Sequence, residues 1–138
     1  MDRGAEVLQD LRDRLAASPF HASLGIDAVD ASQGRAHLAI TATDSQRNLQ
    51  GTIHGGVLAT LADTAMGLAV RTAVGPERPH VTIEMAVHYL RPASPGRIEA
   101  VGTVVRSGTQ IAYAEADVVA ADGTLLARAS GTYSTAAR

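Results

Sequence analysis

The sequence predicts an α+β domain in which one antiparallel sheet wraps a long central helix. Three observations carry that prediction. Residues 55–73 are apolar nearly all round, the pattern of a helix covered on most of its circumference. After Gly75-Pro76 the apolar period changes from 3.6 to 2. Ser107-Gly108 and Asp122-Gly123 are then short turn signals, and strands joined by hairpins are antiparallel.

The elements follow in order. Residues 3–17 place Val7, Leu8, Leu11 and Leu15 on one face with charges opposite, an amphipathic helix. Ser18-Pro19 is expected to end it, because the residue before a proline disfavours the helical region. Two short strands are predicted at about 24–31 and 35–41, joined by Ser32-Gln33-Gly34. Polar residues 43–50 form a loop that leads to Gly51 and to His54-Gly55-Gly56, where the central helix begins. Beyond the helix, Val81, Ile83, Met85, Val87 and Tyr89 alternate with Thr82, Glu84, Ala86 and His88 along one strand. Strands at 98–106, 111–120 and 125–134 complete a four-strand meander. The organisation is an N-terminal helix, 1–19, followed by a domain over 20–138.

Composition narrows the function classes. The chain has 138 residues, 46% apolar and 19% charged, which suits a soluble globular domain with a sizeable core. That core must be built from small and branched side chains, since there is no Trp and only one Phe, Phe20. Without cysteine there is no disulfide, catalytic thiolate or Cys-type zinc site. Net charge is −2, all 12 basic residues are Arg, and no basic block suggests a nucleic-acid partner. No apolar run of membrane-spanning length is free of charge, and Asp2, Arg3, Glu6 and Asp10 do not resemble a signal peptide. No membrane association is expected, and the cytoplasm is the expected location.

Asp63 is the only carboxylate between Asp44 and Glu77, and its neighbours are apolar. At the helix start, Gly55 and Gly56 leave bare backbone N–H groups that suit an oxyanion or a polarised carbonyl. Without Cβ atoms they would let a ligand approach, although turn chemistry alone also explains them. Asp63 lies seven residues beyond Gly56 on nearly the same face, about 10 Å along the axis. One copy of the helix cannot bring both groups to one reacting carbon, whereas two antiparallel copies can. If both elements act, the site therefore lies between two protomers of a homodimer. The alternative for Asp63 is a structural bond to Thr60, Thr64 or Arg71. His54 reads as a helix-start residue whose ring bonds local backbone. His37, His80 and His88 read as strand residues facing away from the apolar row, and His21 as incidental. No spacing suggests a metal site, and no serine has a paired base.

Asn48-x-x-Gly51-x-x-His54-Gly55-Gly56 followed by Asp63 resembles the hotdog-fold acyl-CoA thioesterases, nearest to the phenylacetic-acid-degradation branch. The likeness continues through Val81-Thr82-Ile83-Glu84, Tyr89-Leu90-Arg91-Pro92-Ala93 and the 106–111 hairpin. It implies a sheet of five or six strands around the helix, in homodimers that often pair into homotetramers. Asp63 would be general base or nucleophile, and the Gly55 N–H would polarise the thioester carbonyl. Asn48 would position substrate or water, and Thr82 would assist the partner chain's Asp63 or its water. His54 and Gly56 would flank the substrate. Arg106, Ser107, Gly108, Thr109, Gln110 and Ile111, with Tyr89 and Glu84 nearby, would contact coenzyme A. The resemblance implies no cofactor, because coenzyme A is part of the substrate, and it leaves aryl-acyl, short-chain and medium-chain groups open. Two rivals remain: a hotdog hydroxyacyl-thioester dehydratase and a non-catalytic acyl-CoA-binding sensor.

Overall fold

The computed structural model describes residues 2–136. Helix α1 spans Arg3–Ala17 and starts at an Asp2 cap, whose carboxylate accepts from the Ala5 N–H at 2.7 Å. Its predicted apolar face is buried at Leu11 and Leu15 and packs on the first strand. Pro19 does end α1, but it also opens a second helix, α2, Pro19–Leu24, which the sequence reading missed. Proline at the first helical position lacks only an N–H that would be unsatisfied there anyway. The first strand therefore begins later than expected.

Six strands follow: β1 (Asp27–Ser32), β2 (Arg35–Ala42), β3 (Val81–Tyr89), β4 (Gly96–Ser107), β5 (Ile111–Ala120) and β6 (Leu125–Ser134). The long helix α3, Gly55–Val74, separates β2 from β3. All pairings are antiparallel, and the sheet order is β1-β2-β4-β5-β6-β3. The expected meander therefore holds only for β4, β5 and β6. β3 crosses over to pair with β6 and becomes an edge strand, while β4 pairs with β2. Hairpin signals fix local pairing; nothing between Leu90 and Pro95 is a two-residue turn, so that join was never a hairpin.

The sheet wraps α3, which touches β2, β4, β5 and β6 most closely. Leu58, Leu61, Ala62, Ala65, Met66, Leu68, Ala69 and Val70 are buried there. Small strand residues let helix and sheet approach: Ala36, Ala100, Ala112, Ala114 and Ala116 all lie in this core. Closest of all is Gly102 on β4, where a Cβ would meet the Ala65 carbonyl and stand 2.7 Å from the Met66 nitrogen. Near the end of α3, Arg71 is buried and its guanidinium makes a forked pair with Asp10 of α1, at 2.8 and 3.0 Å. That pair ties α1 to the central helix.

β3 departs from simple alternation. A bulge between Thr82 and Glu84 leaves Ile83 exposed and resets the phase, so Thr82 turns toward α3 while Met85 and Val87 still pack on the core.

Candidate functional site

Asp63 does not bond to the residues its own helix offers. Thr60 and Thr64 donate backward to the carbonyls of Gly56 and Thr60, at 2.8 and 2.7 Å, and Arg71 is committed to Asp10. Its partners come from the sheet instead. The Thr82 hydroxyl donates to Asp63 Oδ1 at 2.8 Å, and the Tyr133 hydroxyl donates to the same oxygen at 2.8 Å. Thr82 was expected to serve the partner chain's Asp63 or its water; the structure pairs it with Asp63 of its own chain. The bulge explains why, since it turns Thr82 inward directly beside its β6 neighbour Tyr133.

The carboxylate faces a cavity of about 270 Å³ bounded by Arg14, Leu15, Ser18, His21, Gly67, Leu68 and His80. His80 corrects the sequence reading. It precedes β3 rather than lying on it, and its ring covers Gly67, whose added Cβ would fall 3.3 Å from the imidazole. Burial is the main cause that lowers its pKa, so the ring favours the neutral form at neutral pH. His21, read as incidental, also borders this cavity and shares a 2.6 Å hydrogen bond with the Ser18 hydroxyl. By contrast His37 pairs with Glu99 at 2.9 Å across β2 and β4, and His88 is exposed, as expected of residues away from the core row.

The helix start is built from local contacts. His54 caps α3: its Nδ1 accepts the Gly56 N–H at 2.8 Å, the local role the sequence suggested. Of the two expected bare donors, then, Gly56 is occupied. Among the described residues the Gly55 N–H has no partner. Both glycines make room for the chain's own side chains rather than only for a ligand. A Cβ at Gly56 would lie 2.9 Å from His54 Nδ1, and one at Gly55 would lie 3.0 Å from Tyr89 Cε1. Tyr89 also donates to the Gly55 carbonyl at 3.0 Å, fixing the helix start to the end of β3. Asn48 is engaged within its loop, accepting from the Gln50 and Thr52 N–H groups and donating to the Thr52 hydroxyl at 3.0 Å. It shapes the loop that delivers His54.

The turn at 106–111 stands at the Asp63 end of the sheet, because Ala112 pairs with Tyr133 and Ile111 with Ser134. Arg78, unremarked in the sequence, braces this turn by donating to the Thr109 and Thr135 carbonyls, each at 2.7 Å. Arg106, Gly108, Thr109, Gln110 and Ile111 line a shallow cavity of about 330 Å³ there. Glu84 lies in one cross-strand row with Thr132, Tyr113 and Arg106, but Tyr89 is not nearby. It occupies the opposite end of β3, roughly 25 Å along the strand. Among the described residues no group of His, Asp or Glu could hold a metal ion.

A long helix bearing one acid on its sheet-facing side, wrapped by six antiparallel strands, is the hotdog architecture. The comparisons give it a family. Residues 50–127 match the Thioesterase superfamily, and the chain belongs to it. A Halobacterium salinarum protein, named only as a candidate esterase, is 43% identical over 86% of this chain and 79% of its own. Human acyl-coenzyme A thioesterase 13 is 31% identical, over 91% of this chain and 94% of that protein. Among solved structures, the phenylacetic acid degradation protein PaaI from Thermus thermophilus is 32% identical with a TM-score of 0.79, covering 86% of this chain and all of that one. The protein is a thioester hydrolase.

Proposed function

We propose that the protein hydrolyses acyl-CoA thioesters at two equivalent sites, each built between two copies of the chain. One observation carries this reading. Asp63 and the unpartnered Gly55 N–H lie on one helix, eight residues and about 12 Å apart along its axis. Water and carbonyl oxygen must both sit roughly 3 Å from the groups that act on them. Two antiparallel helices from a dimer meet that requirement, with the start of one beside the middle of the other. The unpaired edge of β3, with Val81, Ile83 and Tyr89 exposed, is suited to the same association.

In this reading the free Oδ2 of Asp63 takes a proton from the attacking water, or attacks the carbonyl carbon itself to give an anhydride that water then hydrolyses. Negative charge grows on the carbonyl oxygen and is met by the partner's Gly55 N–H, a preorganised donor of a kind worth about 2.7–4 kcal/mol. The C–S bond breaks and coenzyme A leaves as thiolate. His54 and Gly56 hold that donor in place, and Asn48 holds the loop before it. Arg106 and the turn through Ile111 take the coenzyme A moiety, while Tyr89 acts on the helix start rather than beside that turn.

The test is thiol release across a panel of aryl-acyl, short-chain and medium-chain CoA esters. Wild type is expected to release thiol, and Asp63→Asn to lose about a thousandfold in kcat while remaining folded and dimeric. Turnover in Asp63→Asn close to wild type removes Asp63 from the mechanism, and full activity in a monomer removes the shared site. His80 borders the same cavity as Asp63, the pairing of groups that dehydration would use, so a 3-hydroxyacyl-CoA is added to the panel and followed at the enoyl absorbance.

A further inference from the structure

We propose that Tyr133 is a positioning residue for hydrolysis: with Thr82 it pins one oxygen of Asp63, so that the other alone faces the cavity. The inference rests on the reading of Asp63 as the acting carboxylate. A carboxylate has two equivalent oxygens, and rotation about its last side-chain bond exchanges them. Here that exchange is opposed from two strands at once. Thr82 on β3 and Tyr133 on β6 both donate to Oδ1, each at 2.8 Å. Among the described residues Oδ2 has no partner. The cavity side of the carboxylate is therefore left one oxygen with its lone pairs uncommitted.

Tyr133 is built for a fixed hydroxyl. It is 1% exposed, the largest of the fully buried side chains. Its ring folds back along its own strand over Gly131, where a Cβ would stand 2.9 Å from Cε1 and 3.2 Å from the hydroxyl oxygen. The same hydroxyl lies 3.2 Å from the Asp63 carbonyl oxygen, which ties it to the helix backbone as well as to the side chain. Burial, and then the charge of Asp63, push ionisation of the phenol well above its ordinary range, so it remains a donor at any working pH. The motif comparison pointed to Thr82, but no sequence signal pointed to Tyr133.

The test is the pH profile of kcat/KM for Tyr133→Phe, which keeps the ring and removes the donor. Losing a hydrogen bond to the ionised carboxylate disfavours the active form, so the acid limb is expected to move upward by about one pH unit. kcat should fall about tenfold with KM within twofold of wild type, because the variant keeps the ring and loses only the hydroxyl that holds Asp63. Other groups facing Asp63 titrate or carry charge: Arg14 from α1, His21 from α2 and His80 before β3, with Arg71 further along α3 held by Asp10. The profile is therefore repeated in His21→Gln and His80→Gln backgrounds, where the shift caused by Tyr133→Phe should persist. Gly131→Ala, which displaces the ring without removing the hydroxyl, should move the limb in the same direction.

A wild-type profile in both Tyr133→Phe and Gly131→Ala overturns the proposal, as does a shift that vanishes in either histidine background. Thermal unfolding of each variant at the assay temperature separates misfolding from loss of position. If Asp63→Asn is inactive and Tyr133→Phe is unchanged, only the positioning role fails. If Asp63→Asn retains turnover, the reading of the site itself fails.

Discussion

Gly102→Ala tests how closely the sheet is fitted to the central helix. Gly102 is buried on β4, flanked across the sheet by Ala36 and Ala116. A Cβ there would stand 2.7 Å from the Met66 nitrogen and press on the Ala65 carbonyl, both backbone atoms of α3. Ordinary non-bonded carbon contacts begin near 3.5 Å. Helix and sheet would therefore have to part by at least about 0.8 Å, with no flexible side chain to absorb the change. Overpacking usually costs about 1–3 kcal/mol, and the rigid surroundings place this substitution at the upper end, near 3 kcal/mol. For a domain of this size that is a fall in Tm of about 10 °C. Asp63 is two residues before Ala65, so the same displacement would stretch its 2.8 Å bonds to Thr82 and Tyr133 and lower kcat. The assay is thermal and urea unfolding at one fixed protein concentration, which keeps any contribution of self-association to apparent stability constant. A midpoint lower by less than about 1 kcal/mol, with wild-type kcat, would refute the argument.

Gly55→Ala should lower kcat about 10- to 100-fold yet reduce Tm much less than Gly102→Ala, because the Tyr89 ring it meets is 54% exposed and can swing away. Equal losses of stability in the two variants would contradict this, and differential scanning calorimetry with thiol-release kinetics measures both quantities. For Asp10, the hydrogen bond from Arg71 holds the carboxyl below its ordinary range. A depressed folded-state pKa gives stability that is present above the unfolded value, near 3.8, and is lost as pH falls through the folded value. Asp10→Asn should therefore cost about 1–2 kcal/mol at pH 7, a value discounted for the partial exposure of Asp10, and less at pH 3. Urea midpoints at pH 7, 5 and 3 measure it, and an unchanged midpoint at pH 7 would show that the pair carries no net stability.

Periodicity made α1, α3 and the β5–β6 hairpin readable, since each depends on contacts close in sequence. The bounds of β5 and β6 came out as expected, and α3 ended one residue later. The misreadings were non-local or turned on one residue. Pro19 could both stop one helix and start another, and only the packing of α2 shows that it does both. The alternation at 81–89 was real, yet a single inserted residue changed which side of the strand Thr82 occupies. Asp63 stood out because a lone acid in an apolar helix is costly unless it is partnered or used.

The composition of α3 determined that a long helix would sit at the centre of the fold, and the spacing of its glycines and acid set them about 10 Å apart along its axis. Those are properties of rise and turn, fixed by chain geometry. Which groups hold Asp63, and that Tyr89 secures the Gly55 carbonyl, were decided by the crossover that sets β3 beside β6. Tyr133 is 70 residues from Asp63, and Tyr89 is 34 from Gly55. Contacts at such separations follow from how the sheet closes around the helix, and no local pattern along the chain encodes them.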